Sequence, residues 1–361
     1  MKKAFFILLI LNTLQIGAQT NVVQVGTGIL PQNYISYFLP QTEIVVEVSV
    51  RHTIQKPGKF ANYAKRLLAT NNVITSKTER YELEKVNIGH NIVPDTTKNF
   101  AVEINAKTTA YNLLLNANRV IKGVNVSEGD RVSTTLNDRK GAPLQPKIAL
   151  PKENIDTTLL FDYSVLSEDA LMATSEARMA EMAAKQIFRI RENRMEILSG
   201  DSETEYSGDA LQLVLSELDR IEKELVALFE GKSITFTETK IFRFIPKSTM
   251  ENKVIFRFSP LLGIVEKDDL AGRPIIMSVL PQNINTLNLL PNKKIKNFGI
   301  YYNVSPNAQI TIFDGNRQLA ENNFLFPQFG TLKFLPAELF NNKNTQVVFT
   351  EFGEIELVGS R

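Results

Sequence analysis

The sequence predicts an α+β protein in which β-rich N- and C-terminal modules, built from antiparallel or sandwich-like sheets, flank a long antiparallel helical hairpin. Three observations predict it. Residues 44–54 alternate with period two, residues 211–228 carry apolar side chains at alternating spacings of three and four, and short β-rich runs between turn residues return after residue 232. These runs divide the chain into a leader at 1–18, an N-terminal β-rich domain at 19–129, and a linker or long loop at 130–160. The helical hairpin at 161–231 and a C-terminal β-rich domain at 232–361 follow.

Lys2 and Lys3 precede the apolar run AFFILLILNTLQIGA, which ends in small residues. This pattern reads as a secretory signal peptide cleaved after Ala18. The run is shorter than the roughly twenty apolar residues needed to cross a bilayer, and no comparable run follows. With no cysteine in the chain, a lipidated N-terminus and disulfides are excluded. The expectation is therefore an exported protein that is not a lipoprotein. Stability must come from apolar cores, which 361 residues at 43% hydrophobic content can supply.

In the first module, Ile44, Val46, Val48, Val50, His52 and Ile54 share one face of a strand, with Glu47, Ser49, Arg51 and Thr53 on the other. Lys56-Pro57-Gly58 ends it, and KFANYAKRLLA reads as a short helix. RYELEKVNIG and NFAVEINA read as two further strands, and NLLLNANRVIKGVNV as a hairpin turning near Asn116–Asn118. The prolines and missing periodicity of residues 130–158 mark the linker.

The helical segment starts with Ser167 as a candidate N-cap. In its second arm Leu211, Val214, Leu218, Ile221, Leu225 and Leu228 form a seam. Ala180, Ala183, Ile187, Ile190, Arg194 and Ile197 form the matching series in the first arm. SGDSETEYSGD turns between them, with Asp209 and Gln212 placed as a capping box. After residue 232, SITFTETKIFRFI and KVIFRFS read as strands. Short strands broken at DGN and EFGE then suit an antiparallel sandwich or barrel.

The formal net charge is +2, and zero once Lys2 and Lys3 are removed. A near-neutral chain argues against nucleic acid as a partner. Charge is segregated, however: residues 160–231 hold 16 acidic against 7 basic side chains. Such a module suggests where parts or partners meet.

Four cations on the first arm, Lys185, Arg189, Arg191 and Arg194, are the main candidate binding residues. Lys185 and Arg189 lie four apart, and Arg191 and Arg194 three apart on another part of the helix. The bland reading makes them ion pairs of the helix seam, with Glu217, Asp219, Glu222 and Glu224 as candidate partners. The functional reading makes them a stripe for a partner or acidic ligand. No metal, cofactor or catalytic constellation is assigned. His52 reads as a core histidine, and His90 as a residue near a strand end without a nucleophile motif beside it. Asp201, Glu203 and Glu205 imitate a calcium loop, but Tyr206 stands where glycine is needed and Gln212 where glutamate is needed.

The stretches LPQTEIVVEV, PGKFANYAKRLL, RMAEMAAKQIFRIRENRMEILSGD, DDLAGRPI and FPQFGTLKFLPAELF resemble an uncharacterised family of secreted Bacteroidota proteins, domain-of-unknown-function family 4831. The likeness spans nearly the whole mature chain. It implies an envelope location, in the periplasm, associated with the outer membrane or at the cell surface, and brings no catalytic residues with it. The expectation is a non-enzymatic structural or adaptor protein that docks to an outer-membrane or surface assembly. Homo-oligomerisation through the helical seam competes with it. A glycan- or ligand-binding protein is the alternative, weakened by the absence of tryptophan, and a hydrolase the second alternative.

DTT occurs at 95–97 and 156–158 and resembles a short O-glycosylation acceptor sequence of the same bacterial group. The bland alternative is two turns, which Asp and Thr favour through side-chain-to-backbone hydrogen bonds. Glycans are expected on Thr96 and Thr157. The intact mass of native protein should exceed that of the bare chain 19–361 and fall in Thr157→Ala; a native mass equal to the bare chain excludes them.

Overall fold

The computed structural model describes residues 22–104, 112–126, 160–201, 203–204, 207–282, 299–340 and 344–360. The expected signal peptide and the expected linker, up to residue 159, lie outside the described residues. The protein is β-rich, and its sheets are antiparallel.

Two long strands dominate. β2 (Tyr34–Lys56) pairs antiparallel with β3 (Thr78–Glu103) along almost its whole length. β1 (Val22–Gln24) adds to the outer edge of β3, and β6 (Lys232–Phe244) pairs with β2 from Ile44 to Lys56. The central sheet thus has the order β1-β3-β2-β6. The expected strands RYELEKVNIG and NFAVEINA fall, as far as Glu103, in one strand, because Asp95–Lys98 form a bulge within it. Phe38 pairs with Asn99 and Pro40 with Pro94, so the intervening residues of β3 loop out without ending the ladder. The Asp95 carboxylate caps that bulge, accepting from the Thr97 backbone N–H (3.0 Å) and the Thr97 hydroxyl (2.6 Å).

The alternation of β2 aims Ile44, Val46, Val48 and Val50 into a first core. Facing them is a five-stranded sheet of order β12-β11-β9-β7-β8, made by β7 (Met250–Ser259), β8 (Gly263–Val265), β9 (Arg273–Pro281), β11 (Asn307–Asp314) and β12 (Arg317–Leu325). Its Phe256, Phe258, Ile275, Met277, Ile310 and Ile312 complete the sandwich. The expected solvent face of β2 is also covered in its middle, where Val45 and Glu47 are buried. β2 is flanked by strands on both sides, and Asn87 of β3 donates from Nδ2 to Glu47 Oε2 at 3.1 Å.

The first turns of the same hairpin enter a second core. Tyr37 and Leu39 of β2 and Phe100 and Val102 of β3 pack with Ile121, Val124, Ile300, Leu335, Phe340 and Val347. Two small sheets supply the partners of the hairpin, except Phe340, which comes from the 3-10 turn Ala337–Phe340. One has the order β15-β14-β5-β4, from β4 (Leu113–Leu115), β5 (Ile121–Val124), β14 (Thr345–Phe349) and β15 (Ile355–Ser360). The other pairs β10 (Gly299–Val304) with β13 (Thr331–Pro336). The expected hairpin at Asn116–Asn118 is present: the Asn116 side-chain oxygen accepts from the backbone N–H of Asn118 and of Val120. Strands from the two ends of the chain share sheets, β6 with β2 and β14 with β5. The N- and C-terminal β-rich runs therefore form one interleaved sheet system.

The helices make a third core at the other end of β2. α1 (Ala64–Leu68), α2 (Glu168–Leu171), α3 (Glu176–Ser199) and α4 (Gly208–Glu230) bury Phe60, Ala64, Ala180, Ala183, Ile187, Leu225, Leu228 and Phe229 together. The first helical arm is not continuous from Ser167. Ser167 caps the single turn of α2 by accepting from Ala170 N–H, and Ser175 caps α3 by accepting from Arg178 N–H. Two serine caps only eight residues apart break the segment. α4 is entered through Ser207, so Asp209 lies inside its first turn and not at its cap. Gly58 seats the base of α4, since a Cβ there would fall on the Leu228 carbonyl, and the Phe60 N–H donates to that same carbonyl at 2.7 Å.

Tyr37 ties the second core across sheets. Its fully buried hydroxyl donates to Tyr301 C=O (3.2 Å) and accepts from Tyr301 N–H (2.8 Å), and burial pushes its pKa well above the ordinary tyrosine value. Tyr37→Phe leaves both Tyr301 backbone groups without that partner in an apolar core. The expected cost is about 1–3 kcal/mol, read as a lowered denaturation midpoint with unchanged slope.

Candidate functional site

The helix pair gathers the cations singled out by sequence. Arg191 Nε donates to Glu222 Oε1 at 2.7 Å, and Arg194 Nη2 lies 2.6 Å from Glu222 Oε2. Arg194 also stands 4.0 Å from Asp219 Oδ1. Advancing three residues on α3 thus retreats three on α4, as antiparallel neighbours require. The Glu222 side chain is only 13% exposed and each of its oxygens meets one guanidinium. The Arg194 stem occupies the seam position its spacing predicts, with the charge carried sideways to the carboxylate. Lys223 lies 2.6 Å from Asp219, and this hydrogen bond holds the Asp219 carboxyl below the usual carboxylate range. Glu217 pairs with Arg220 on its own helix, while Glu224 pairs with Lys232 at the start of β6.

Lys185 and Arg189 behave differently. Both are exposed on α3, and neither forms an ion pair among the described residues. The structure therefore brings Arg191 and Arg194 together with Glu222 and leaves Lys185 and Arg189 facing outward.

Burial along the pair is graded. Ala180, Ala183, Ile187, Leu225 and Leu228 are buried at the base, whereas Ile197, Leu211 and Val214 are only half-buried toward the free end. Large apolar side chains stand outside the seam there: Phe188 is 49% exposed, Met195 65%, Leu198 62% and Leu213 69%. Leu198 and Leu213 sit beside seam residues in the sequence, whereas charged residues stand next to Phe188 and Met195. Their signal is the seven-residue step from Phe188 to Met195 on the face away from the seam.

His52 is buried beside Tyr81 and Phe236, its Nδ1 3.0 Å from Glu238 Oε1. His90 lies well inside β3, not near a strand end, and packs between Phe324 and Phe352 with Nε2 3.9 Å from Glu351. His90 faces Ile44 across the ladder while His52 is eight residues farther along β2, so the histidines stand roughly 26 Å apart at strand rise. They cannot serve one triad or one metal. Among the described residues neither imidazole is hydrogen-bonded to a hydroxyl, and no group of three His, Asp or Glu is placed to hold a metal ion. Of the calcium-like loop, Asp201 accepts from the Ser199 hydroxyl at 2.7 Å, while Glu205 and Tyr206 lie outside the described residues. Thr96 is exposed on the β3 bulge; Thr157 lies outside the described residues.

The site so defined is a surface: a helix pair anchored at its base, clamped by buried-side ion pairs and carrying exposed apolar groups toward its free end. Among the described residues no helix is long and apolar enough to cross a membrane. A family model described as a domain of unknown function, DUF4831, matches residues 33–356, and the chain belongs to that family. No curated protein and no solved structure matches the chain significantly.

Leu218 is half-buried in the seam, and Leu218→Asp places an unpaired carboxylate among α3 and α4 side chains. It should cost several kcal/mol and lower the melting temperature. Glu222→Ala removes the carboxylate shared by two guanidiniums, leaving Arg194 only the longer Asp219 contact, and should lower the melting temperature measurably, whereas Glu217→Ala, on a fully exposed pair, should leave it nearly unchanged. Equal melting temperatures for the two glutamate variants would show that the clamp adds nothing.

Proposed function

We propose that the protein is a non-enzymatic structural or adaptor component of the cell envelope, exported as its leader suggests, that docks onto an outer-membrane or surface assembly. In this reading α3 and α4 form the long hairpin that makes the contact. The observation that carries it is the exposure of Leu198 and Leu213 near the free end. Ion pairs descend the two helices with Arg191 opposite Glu222 and Arg194 opposite Asp219. On that register Leu198 and Leu213 stand at nearly the same height, one on each helix. A single exposed leucine is ordinary on a protein surface; two at one height near the end of a helix pair, with exposed Met195 one turn away from Leu198, begin an apolar patch of the kind that contact surfaces use. The acidic excess of residues 160–231 favours a partner with a basic contact surface.

Affinity capture from native envelopes in mild detergent should recover outer-membrane proteins with the wild-type chain. Leu198→Asp with Leu213→Asp should lose them without lowering the helical circular-dichroism signal, because both side chains are already in water. Capture unaffected by the double substitution would exclude the helix tip. A robust hydrolytic activity lost in His52→Ala or His90→Ala would overturn the non-enzymatic reading.

A further inference from the structure

The α3 face opposite the seam has an order that the docking reading does not use. Lys185, Phe188, Arg189, Glu192, Met195 and Glu196 recur at spacings of three and four, all exposed. The four charged members form no ion pair among the described residues. Lys185 and Arg189 are like charges four apart, as are Glu192 and Glu196, and each such pair is mildly destabilising within a lone helix. One turn toward the N-terminus on the same face, Glu181 is already engaged by Arg178 at 3.3 Å and Arg66 at 3.8 Å. The unpaired set is therefore a bounded block: two cations, then two anions, flanked on one side by two large apolar groups.

We infer that this face binds a second copy of the same chain, α3 against α3, antiparallel about a twofold axis between Ile190 and Arg191. Reversal of direction sets the cationic half of one helix against the anionic half of the other. Lys185 comes opposite Glu196 of the second copy and Arg189 opposite Glu192 of the second copy, and the symmetry makes each pair twice. The twofold also keeps sides: the charged edge of the face meets the charged edge, and the apolar edge meets the apolar edge. Phe188 and Met195 of the second copy then fall within two residues' rise of each other, about 3 Å, which both long side chains can span. Contacts made twice by one self-complementary patch are the signature of a closed dimer rather than a fibre. The contact is one helix face of twelve residues, from Lys185 to Glu196, so the association is a weak and salt-sensitive one. It occupies a face other than the seam, where α4 already sits. It rests on the helix pair being a contact surface and commits that face to a definite occupant.

Sedimentation velocity of the purified protein across a wide concentration series tests it. Wild type should show a reversible monomer–dimer equilibrium that shifts toward monomer with added salt. Glu192→Lys with Glu196→Lys, and separately Lys185→Glu with Arg189→Glu, should each weaken self-association at least about tenfold by setting like charges together. Mixing these two variants should restore dimers, as should all four substitutions in one chain. Circular dichroism on each variant establishes that the helices are intact. A wild type that is monomeric throughout, or dimers indifferent to both reversals and to mixing, would overturn the inference. A monomeric wild type that still captures envelope proteins through Leu198 and Leu213 would overturn it while leaving the docking reading in place.

Discussion

The pairing of β2 with β3 is the constraint on which the remaining structure depends. One continuous antiparallel ladder passes through two separate apolar cores: Ile44, Val46, Val48 and Val50 belong to one, Tyr37 and Leu39 to the other. Since side chains alternate strictly, a one-residue slip of β2 would turn its buried set outward in both cores at once. Two irregularities adjust the phase locally, at Phe38/Pro40 and at Ser49/Val50, so each half of the hairpin aims its own face correctly. Glu84, passed over at the second, turns outward to pair with Arg51 at 3.0 Å.

The alternation of residues 44–54 was legible because local residues carry it, and the seam of α4 for the same reason. Other features had no local sign. Pro94 and the Asp-Thr-Thr run resemble a turn between strands, yet the flanking ladder holds them as a bulge. The adjacency of β6 to β2, or of β14 to β5, leaves no pattern in either segment alone. A strand's partner is decided by global packing, so a reading along the chain assigns the N- and C-terminal strands to separate modules. Ser167 was legible as a cap, but the break that makes Ser175 a second one goes with contacts remote in the chain, such as Gln186, which accepts from Ser167 N–H and donates to Val165 C=O.

The candidate surface divides in the same way. Glu222 as the partner of Arg191 and Arg194 follows from helix geometry once the seam is known. The exposure of Phe188, Met195, Leu198 and Leu213 does not, because apolar residues near a seam are expected to belong to it. Only the graded burial of the pair separates them. The histidines divide likewise: the apolar strand face already placed His52 in the core, whereas the place of His90 between Phe324 and Phe352 comes from partners remote in the chain.

The joining of β2 to β6 and of β5 to β14 also dictates an order of assembly. Lys56 and Lys232 are ladder neighbours separated by nearly half of the sequence. Closing so long a loop carries an entropic penalty, and contacts of this range slow folding. α3 and α4 shorten that search, since their contacts are local and their antiparallel course returns the chain to the side of the molecule where Phe60 accepts α4. Val347 is the last partner that Val124 receives, and it lies close to the C-terminus. The N-terminal β-strands thus stay unfinished at an edge until residue 347 has emerged, and a chain stopped before it would expose that edge to association with other chains.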